Sequence, residues 1–159
     1  MARKVIFLDV DGVINSLQNQ AEEFIKKRNF DTMHFDTANM EALKVLVEST
    51  GAELILSSSW RHVDTPLDKA ALENLHRRLA EFGLVLTGDI GPYRNLRHDA
   101  ISEWLQANPD VESYVILDDV NDAFEGELLE RLVLTDELIG LTVEDAEIAK
   151  EILKGRGKA

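Results

Sequence analysis

Two aspartates, Asp9 and Asp11, stand at the end of an apolar run near the start of the chain, in "VIFLDVDGVI" (residues 5–14). Desolvating two neighbouring carboxylates costs on the order of several kcal/mol each. If the strand continues, both side chains point to the same side of it. Mg²⁺ compensates such a pair well, because it binds a few protein oxygens and keeps several waters. The pair therefore predicts a magnesium site.

Three other interpretations of the same pair compete. The acids could accept backbone amide hydrogens in a plain turn after the strand. They could belong to a calcium loop, but that pattern needs a third acidic or amide ligand before the glycine and a late glutamate, which this stretch lacks. They could be the acid pair of a receiver domain, in which the phosphorylated aspartate comes later in the chain.

A second apolar run ends in small hydroxyls, in "ELILSSSWR". The three serines, Ser57–Ser59, can hydrogen-bond phosphate oxygens, helped by the backbone amides that follow them. Arg61 could reach a substrate, or it could only cap or pair with a neighbour. For the serines themselves the alternative is a turn or a helix cap.

A third apolar run ends in acids, in "SYVILDDVND", which places Asp118 and Asp119 directly after it and Asp122 close behind. Capping is again the alternative interpretation. Between the second and third runs, Arg94 and Arg97 stand near the start of a predicted helix. An arginine there could neutralise both a phosphate and the aspartates.

The elements that must position these groups alternate between short apolar runs and longer amphipathic stretches. Strands are predicted at Val5–Asp9, Leu54–Ser57, Val85–Thr87, Tyr114–Leu117 and Leu132–Leu134. Helices are predicted from Asp36 or Thr37 to Gly51, from Pro66 to Gly83, from about Asn95 to Asn108, and from Thr142, where Thr142 and Asp145 resemble a capping box. This order predicts parallel strands with right-handed crossovers in a three-layer α/β sandwich, whose ligands bind at the carboxyl ends of the strands.

Composition narrows the class of protein. The 159 residues suit one domain, 1–159, with a small flap or cap insert at about residues 15–35 that could hold a helix over Ala21–Arg28. The net charge of −13 disfavours binding to nucleic-acid phosphate backbones and to anionic lipid, unless the surface carries a local basic patch. Because the chain has no cysteine, thiol catalysis and cysteine-based zinc sites are excluded. No apolar run approaches a membrane span and the first residues do not resemble a signal peptide, so a cytoplasmic protein is predicted.

The motif order resembles the haloacid dehalogenase (HAD) superfamily: hhhhDxDGVI, a strand followed by Ser, a basic residue before a helix, and a strand followed by Asp-Asp. The stretches "LSSSWR", "ISEWL", "VILDD" and "LTDELIGLT" further resemble the HAD domains of Swiss-Army-Knife RNA repair proteins and stand-alone phage or bacterial relatives. The resemblance covers Lys4 to Leu153. It implies a Rossmann-like sandwich whose mostly parallel five-stranded sheet has the order 5-4-1-2-3, with a minimal cap.

The resemblance also implies catalytic roles. Asp9 would be the nucleophile that forms an aspartyl-phosphate, and Asp11 the general acid and then the general base. Ser57 would hold the transferring phosphoryl group, and Arg97 would stabilise charge in place of the more usual lysine. Since a halide leaving group needs no proton, the presence of Asp11 favours a phosphatase over a dehalogenase.

For the metal, the resemblance implies Mg²⁺ held by Asp9, Asp118, Asp119 and the backbone carbonyl of Asp11. Asp122 competes with Asp119 as the outer metal partner.

Two motif registers stay open. Ser57 is chosen over Ser58 because it follows the apolar run directly, and Arg97 over Arg94 because it lies one turn before Ile101. Ser58, Arg61 and Arg94 are therefore predicted as further substrate contacts.

The predicted function is a Mg²⁺-dependent phosphomonoester hydrolase. With so small an insert the cleft would be uncapped, which suits a phosphate on a bulky molecule, and the resemblance indicates a nucleotide or a nucleic-acid end. The acidic charge argues against a non-specific nucleic-acid binder, although several basic residues, Lys26–Arg28, Arg61, Arg94 and Arg97, could line one rim. The alternatives are a non-catalytic phosphate- or Mg²⁺-binding module and a phosphotransferase. Partner proteins are not predicted.

Overall fold

Strands and helices alternate along the chain. A computed structural model describes residues 2–92 and 96–156. The strands are β1 Arg3–Leu8, β2 Glu53–Leu56, β3 Leu86–Asp89, β4 Val111–Asp118 and β5 Leu132–Leu134. The helices are α1 Leu17–Ile25, α2 Thr37–Thr50, α3 Pro66–Glu81, α4 Arg97–Ala107, α5 Gly126–Glu130 and α6 Val143–Glu151, with a 3₁₀ turn at Ser59–Arg61 and a π-helical turn at Ile152–Arg156. Within the described ranges, every helix is too short or too polar to cross a membrane.

The five strands form one sheet in the order β3-β2-β1-β4-β5, and all of its neighbouring pairs are parallel. This is the predicted order 5-4-1-2-3 read from the opposite edge, so the predicted fold class is confirmed. β1 lies in the centre, between β2 and β4. Because parallel strands end at the same edge, the residues that follow β1, β2 and β4 lie side by side.

Helices cover both faces of the sheet, which gives the three layers. β1 alternates between the faces: Ile6 and Leu8 pack in a cluster with side chains of α2, α3 and α6, whereas Val5 and Phe7 pack in a second cluster with side chains of α4 and α5. These four side chains of β1 are fully buried, whereas Arg3 and Lys4 at its start are half-buried. A strand buried on both faces reads as a continuous apolar run, which is why "VIFL" was recognisable as a central strand.

Capping residues fix the helix ends that the sequence predicted. The Asp36 side chain accepts a hydrogen bond from the Asn39 backbone N–H at the start of α2, and Gly51 ends that helix in a left-handed conformation with φ 70°. Pro66 begins α3. The capping box of Thr142 and Asp145 at the start of α6 is present.

The insert is where prediction and structure differ most. The helix predicted over Ala21–Arg28 lies instead at Leu17–Ile25. It begins earlier because the Ser16 hydroxyl accepts a hydrogen bond from the Asn19 N–H. It ends earlier because Lys27 adopts φ 60°, outside the helical region.

The remaining differences are small. Four strands shift at their ends: Val5–Asp9 is Arg3–Leu8, Leu54–Ser57 is Glu53–Leu56, Val85–Thr87 is Leu86–Asp89, and Tyr114–Leu117 is Val111–Asp118. The helix predicted from about Asn95 begins at Arg97, and Asn95 itself lies outside the described residues. α5 was not predicted, since its five residues are too few to show a helical period.

A buried glutamate, Glu23, stabilises the insert by accepting hydrogen bonds from within it. The Glu23 carboxylate is 3% exposed and accepts hydrogen bonds from the His34 backbone N–H and from Arg28 Nη1. Burial alone would raise the pKa of Glu23, but these two donors outweigh it and the pKa is lowered. On the α3 side, Asn74 Nδ2 donates to the carbonyls of Phe30 and Met33. These contacts hold Phe30 in a defined place beside α3.

Candidate active site

Three predicted strand ends meet at the carboxyl edge of the sheet. The Asp9 N–H donates to the Leu117 carbonyl at 3.1 Å, so the pairing of β1 with β4 continues into the site. The Ser57 N–H donates to the Leu8 carbonyl at 2.9 Å on the other side. Asp118, the last residue of β4, is fully buried, and Asp9 is 6% exposed. Polar groups that are distant in sequence thus become neighbours.

Three carboxylates and one guanidinium form the centre of this site. Oxygens of Asp9, Asp118 and Asp119 lie within 4.8 Å of one another. Arg97, at the start of α4, places Nη1 2.5 Å from Asp118 Oδ2 and 3.5 Å from Asp9 Oδ1. The Val120 N–H donates to Asp118 Oδ1 at 3.1 Å. We call Asp9, Asp118 and Asp119 the acid cluster.

Burial and neighbouring charges shift the pKa values of Asp9, Asp118 and Arg97. Burial raises the pKa of Asp9 well above its ordinary range, Asp118 raises it further, and Arg97 acts in the opposite direction. Burial likewise raises the pKa of Asp118, although Arg97 lowers it. For Arg97, burial lowers the pKa, but the charges of Asp9 and Asp118 outweigh it and the pKa is raised. Perturbed carboxyls in a shared site are typical of functional centres.

The donor set of the acid cluster fits a divalent cation. Three carboxylates against one guanidinium leave excess negative charge, and all three acids offer the hard oxygen ligands that Mg²⁺ and Ca²⁺ prefer. A cation there would favour the ionised form of Asp9, whose pKa is raised by burial and by the charge of Asp118. The exposed Asp122, the alternative to Asp119, does not belong to this cluster.

Gly12 allows the acid cluster to form. Its φ is 81°, and a Cβ at this position would overlap with the Asp119 carboxylate. The Thr135 hydroxyl donates to the Gly12 carbonyl at 2.7 Å, which fixes the loop after β1 on the β5 side. The glycine of the first motif is therefore required both by backbone conformation and by the close approach of Asp119.

The Asp11 carboxylate lies apart from the acid cluster. Its Oδ1 accepts a hydrogen bond from Asn15 Nδ2 at 2.9 Å, and its Oδ2 accepts one from Trp60 Nε1 at 3.1 Å. Both oxygens are thus oriented by neutral donors, while Asp9 faces a cation. The two aspartates of the motif occupy different environments, as two different chemical roles would require. The metal contact predicted for the Asp11 carbonyl stays a prediction.

The three serines differ in their surroundings. Ser57 Oγ is fully buried and has no hydrogen-bond partner among the residues that the structure describes. Ser58 Oγ accepts a hydrogen bond from the Trp60 N–H at 3.1 Å and caps the 3₁₀ turn. A buried hydroxyl without a partner is costly unless a ligand completes it, so Ser57 is the serine that offers an open hydrogen-bonding position.

Arg61, one of the predicted basic substrate contacts, binds backbone carbonyls in two loops. Arg61 Nε donates to the Gly91 carbonyl at 2.7 Å, and its Nη1 donates to the carbonyls of Ser57 and Ser58 at 2.9 Å each. These bonds hold the loop after β2 against the loop after β3. Arg94 lies outside the described residues. Substrate contacts by Ser58, Arg61 and Arg94 stay predictions.

Sequence reasoning missed three residues that shape this site, namely Asn15, Trp60 and Thr135. Each acts through a hydrogen bond to a motif residue rather than through its own charge. Asn15 and Trp60 stand within or beside the motifs "DVDGVIN" and "SSSWR", which was the available signal. Nothing in the local sequence around Thr135 indicated a contact with Gly12.

Comparison with known proteins identifies the family of this chain. Residues 5–146 match the family described as the HAD domain in Swiss Army Knife RNA repair proteins. No curated protein matches the chain. The matched range includes all three members of the acid cluster together with Asp11, and HAD-type domains are typically hydrolases or phosphatases that use a divalent metal. The chain belongs to the family of HAD domains found in Swiss Army Knife RNA repair proteins.

Proposed function

We propose that the protein is a Mg²⁺-dependent phosphomonoester hydrolase that acts through an aspartyl-phosphate on Asp9. Its proposed substrate carries the terminal phosphate of a nucleotide or a nucleic-acid end. The observation that carries the proposal is the division of labour at the strand ends. Asp9 lies in the acid cluster beside Arg97, while Asp11 stands apart with both oxygens oriented.

In the first step, an Asp9 carboxylate oxygen attacks phosphorus. The bond between phosphorus and the ester oxygen breaks, and protonated Asp11 gives its proton to the departing oxygen. The buried Ser57 hydroxyl is placed to donate to a phosphoryl oxygen, since it has no other partner among the described residues. Arg97 offsets the charge of Asp9 and of the phosphoryl group.

In the second step, water attacks the phosphorus of the aspartyl-phosphate. Asp11, now ionised, takes the proton of that water as general base. The bond between phosphorus and the Asp9 oxygen breaks, which releases inorganic phosphate and restores the Asp9 carboxylate. The hydrogen bonds from Asn15 and Trp60 keep Asp11 in one orientation through both steps.

The residues that would hold Mg²⁺ are the acid cluster and the carbonyl of Asp11. When bound, the ion supplies charge neutralisation for the phosphoryl oxygens, which phosphoryl transfer needs more than any covalent assistance. Asp118 is kept in position by Arg97 and by the Val120 N–H. Asp119 reaches the cluster over Gly12.

The function is tested by phosphate release from a generic monoester with Mg²⁺ and with EDTA. We expect release only with Mg²⁺, whereas release in neither condition would leave a binding module as the better description.

The substrate class is tested by kcat/KM for a phosphorylated oligonucleotide against a small sugar phosphate at two salt concentrations. We expect the oligonucleotide to be preferred and its kcat/KM to fall with salt. A preference for the sugar phosphate without salt dependence would defeat the nucleic-acid substrate.

Replacing Gly12 with alanine should abolish activity and lower stability. The new Cβ would displace the Asp119 carboxylate, and a non-glycine residue at φ 81° costs about 1–2 kcal/mol. The matched control is Gly83→Ala, because Gly83 has φ 74° but no atom near its missing Cβ. Thermal unfolding should show a similar conformational cost in both variants, while phosphate release is lost in Gly12→Ala alone. Wild-type turnover in Gly12→Ala would contradict the role given to Asp119.

Mg²⁺ should raise the melting temperature. A ligand that binds only the folded state at ten times its Kd contributes about 1.4 kcal/mol, which corresponds to about 3–5 °C for a chain of this size. Asp119→Asn should remove the shift, and Asp122→Asn, at an exposed acid outside the cluster, should keep it. Differential scanning calorimetry at constant ionic strength measures this. A shift of equal size in both variants would argue against Asp119 as a ligand.

A further inference from the structure

A cleft of about 240 Å³ opens directly beside the Asp11 carboxylate. Its walls come from the insert, from the 3₁₀ turn and from the first turns of α3, through residues that include Phe30, Trp60, Leu67 and Ala71. We call this the aromatic cleft. Phe30 is 41% exposed and Leu67 is 56% exposed, so the cleft presents apolar side chains to solvent next to a catalytic group.

The aromatic walls are held rigidly. The Trp60 ring packs edge-on against Phe30 and Phe35, each with a centroid distance of 5.5 Å. The carbonyl of Phe30 accepts a hydrogen bond from Asn74 on α3. A preformed aromatic surface binds a flat ring at a low cost in conformational entropy.

Trp60 connects this cleft to the chemistry. Its indole N–H donates to Asp11 Oδ2, while the same side chain lines the aromatic cleft. In the proposed reaction, Asp11 protonates the departing oxygen, so the group attached to that oxygen must lie on the Asp11 side of the site. The aromatic cleft is on that side. A second cleft, whose lining includes Arg61, Asp89 and Gly91, does not include Asp11.

Charge and size define what the aromatic cleft can hold. The titratable residues on its wall are two acids, Asp11 and Asp68, and one histidine, His62, so the excess of carboxylates disfavours a second phosphate group there. Arg28, in the same insert as Phe30, is paired with Glu23, and Arg61 donates to backbone carbonyls. Whole ligand pockets usually enclose about 300–1,000 Å³, so this cleft suits one ring system rather than a larger molecule.

We propose that the aromatic cleft binds the uncharged, planar base of a nucleoside monophosphate, with Phe30 and Trp60 as specificity-determining residues. This inference rests on the proposed function for the direction in which the leaving group departs. The unit that the site recognises is then one nucleotide, free or at the end of a strand, whose phosphate enters the acid-cluster site while its base lies against Phe30. Additional phosphates of a longer strand would gain nothing from this cleft.

The first experiment compares kcat/KM for a nucleoside 5′-monophosphate with that for ribose 5-phosphate, which carries the same phosphate without a base. We expect the wild type to prefer the nucleotide. Phe30→Ala should lower this selectivity about tenfold, because removing a stacking aromatic typically has an effect of that order. Ile25→Ala, an exposed position of the same insert, should keep the selectivity. Equal kcat/KM values in the wild type, or unchanged selectivity in Phe30→Ala, would overturn the proposal.

A second variant and a binding measurement complete the test. Leu67→Ala, at an exposed position on α3, should also lower the selectivity without disturbing the aromatic packing, which covers the case in which Phe30→Ala does not fold. In a Trp104→Phe background, Trp60 is the one remaining tryptophan, so its fluorescence reports on the cleft. Adenosine, which has no phosphate, should change this fluorescence saturably, and ribose should not.

The binding measurement separates the two proposals. If wild-type protein releases phosphate from neither ester while adenosine still binds beside Trp60, the proposed hydrolase function fails and the cleft assignment stands. If both esters are hydrolysed while adenosine produces no saturable change in the millimolar range, the hydrolase function stands and the aromatic cleft is not a base-binding site.

Discussion

Replacing Asp9 with asparagine is expected to abolish phosphate release, by about 10⁴-fold or more, while the fold stays intact. An amide oxygen is a poor nucleophile and cannot form the aspartyl-phosphate. Because burial and the charge of Asp118 raise the pKa of Asp9, an ionised side chain at this position costs stability, and a neutral amide avoids that cost. Asp9→Asn should therefore unfold at the same temperature as the wild type without Mg²⁺, or at a higher one.

The matched control for Asp9→Asn is Asp122→Asn, which removes an exposed acid that lies outside the acid cluster. It should retain both turnover and stability. Steady-state kinetics and thermal unfolding on the two variants together separate a catalytic loss from a folding loss. A wild-type kcat in Asp9→Asn would remove Asp9 from the role of nucleophile.

Asp11→Asn is expected to lower turnover by about 10²- to 10⁴-fold, the usual contribution of a positioned general acid or base. The loss of rate in the first step should depend on the leaving group. An ester of a weakly acidic alcohol needs protonation by Asp11, whereas a nitrophenyl ester leaves without it. With the nitrophenyl ester, Asp11→Asn should therefore release a burst of one nitrophenol per site and then slow, since the water in the second step lacks its general base.

Rapid-mixing absorbance measurements test this behaviour. Asp122→Asn again serves as the control and should release nitrophenol with the same time course as the wild type. If Asp11→Asn slows both esters by the same factor and produces no burst, the two-step role of Asp11 is wrong.

The meeting of Asp9, Ser57 and Asp118 could be predicted from sequence because it follows from a simple rule. Each residue ends an apolar run, and parallel strands end at one edge of a sheet. The strand order itself came from the family resemblance, and the sheet has that order. Helix boundaries were predictable where a cap marked them, as at Asp36, Gly51 and Thr142.

The environment of Asp11 could not be predicted in the same way. Strand geometry suggested that Asp9 and Asp11 point together, but the chain leaves the strand at Leu8 and turns through Gly12. The Asp11 carboxylate therefore accepts a hydrogen bond from Trp60, which lies far along the chain in the 3₁₀ turn after β2. Likewise, the need for glycine at position 12 depends on Asp119, which no local pattern connects to it. Such contacts arise from tertiary packing, which propensity and periodicity do not encode.

The covalent intermediate offers the most direct measurement. Asp11→Asn protein is mixed briefly with substrate and Mg²⁺, quenched in acid, digested and examined by mass spectrometry. One phosphoryl group is expected on the peptide that contains Asp9, and it should be absent from the double variant with Asp9→Asn. Turnover without any adduct at Asp9, or an adduct on another residue, would contradict the mechanism proposed for this site.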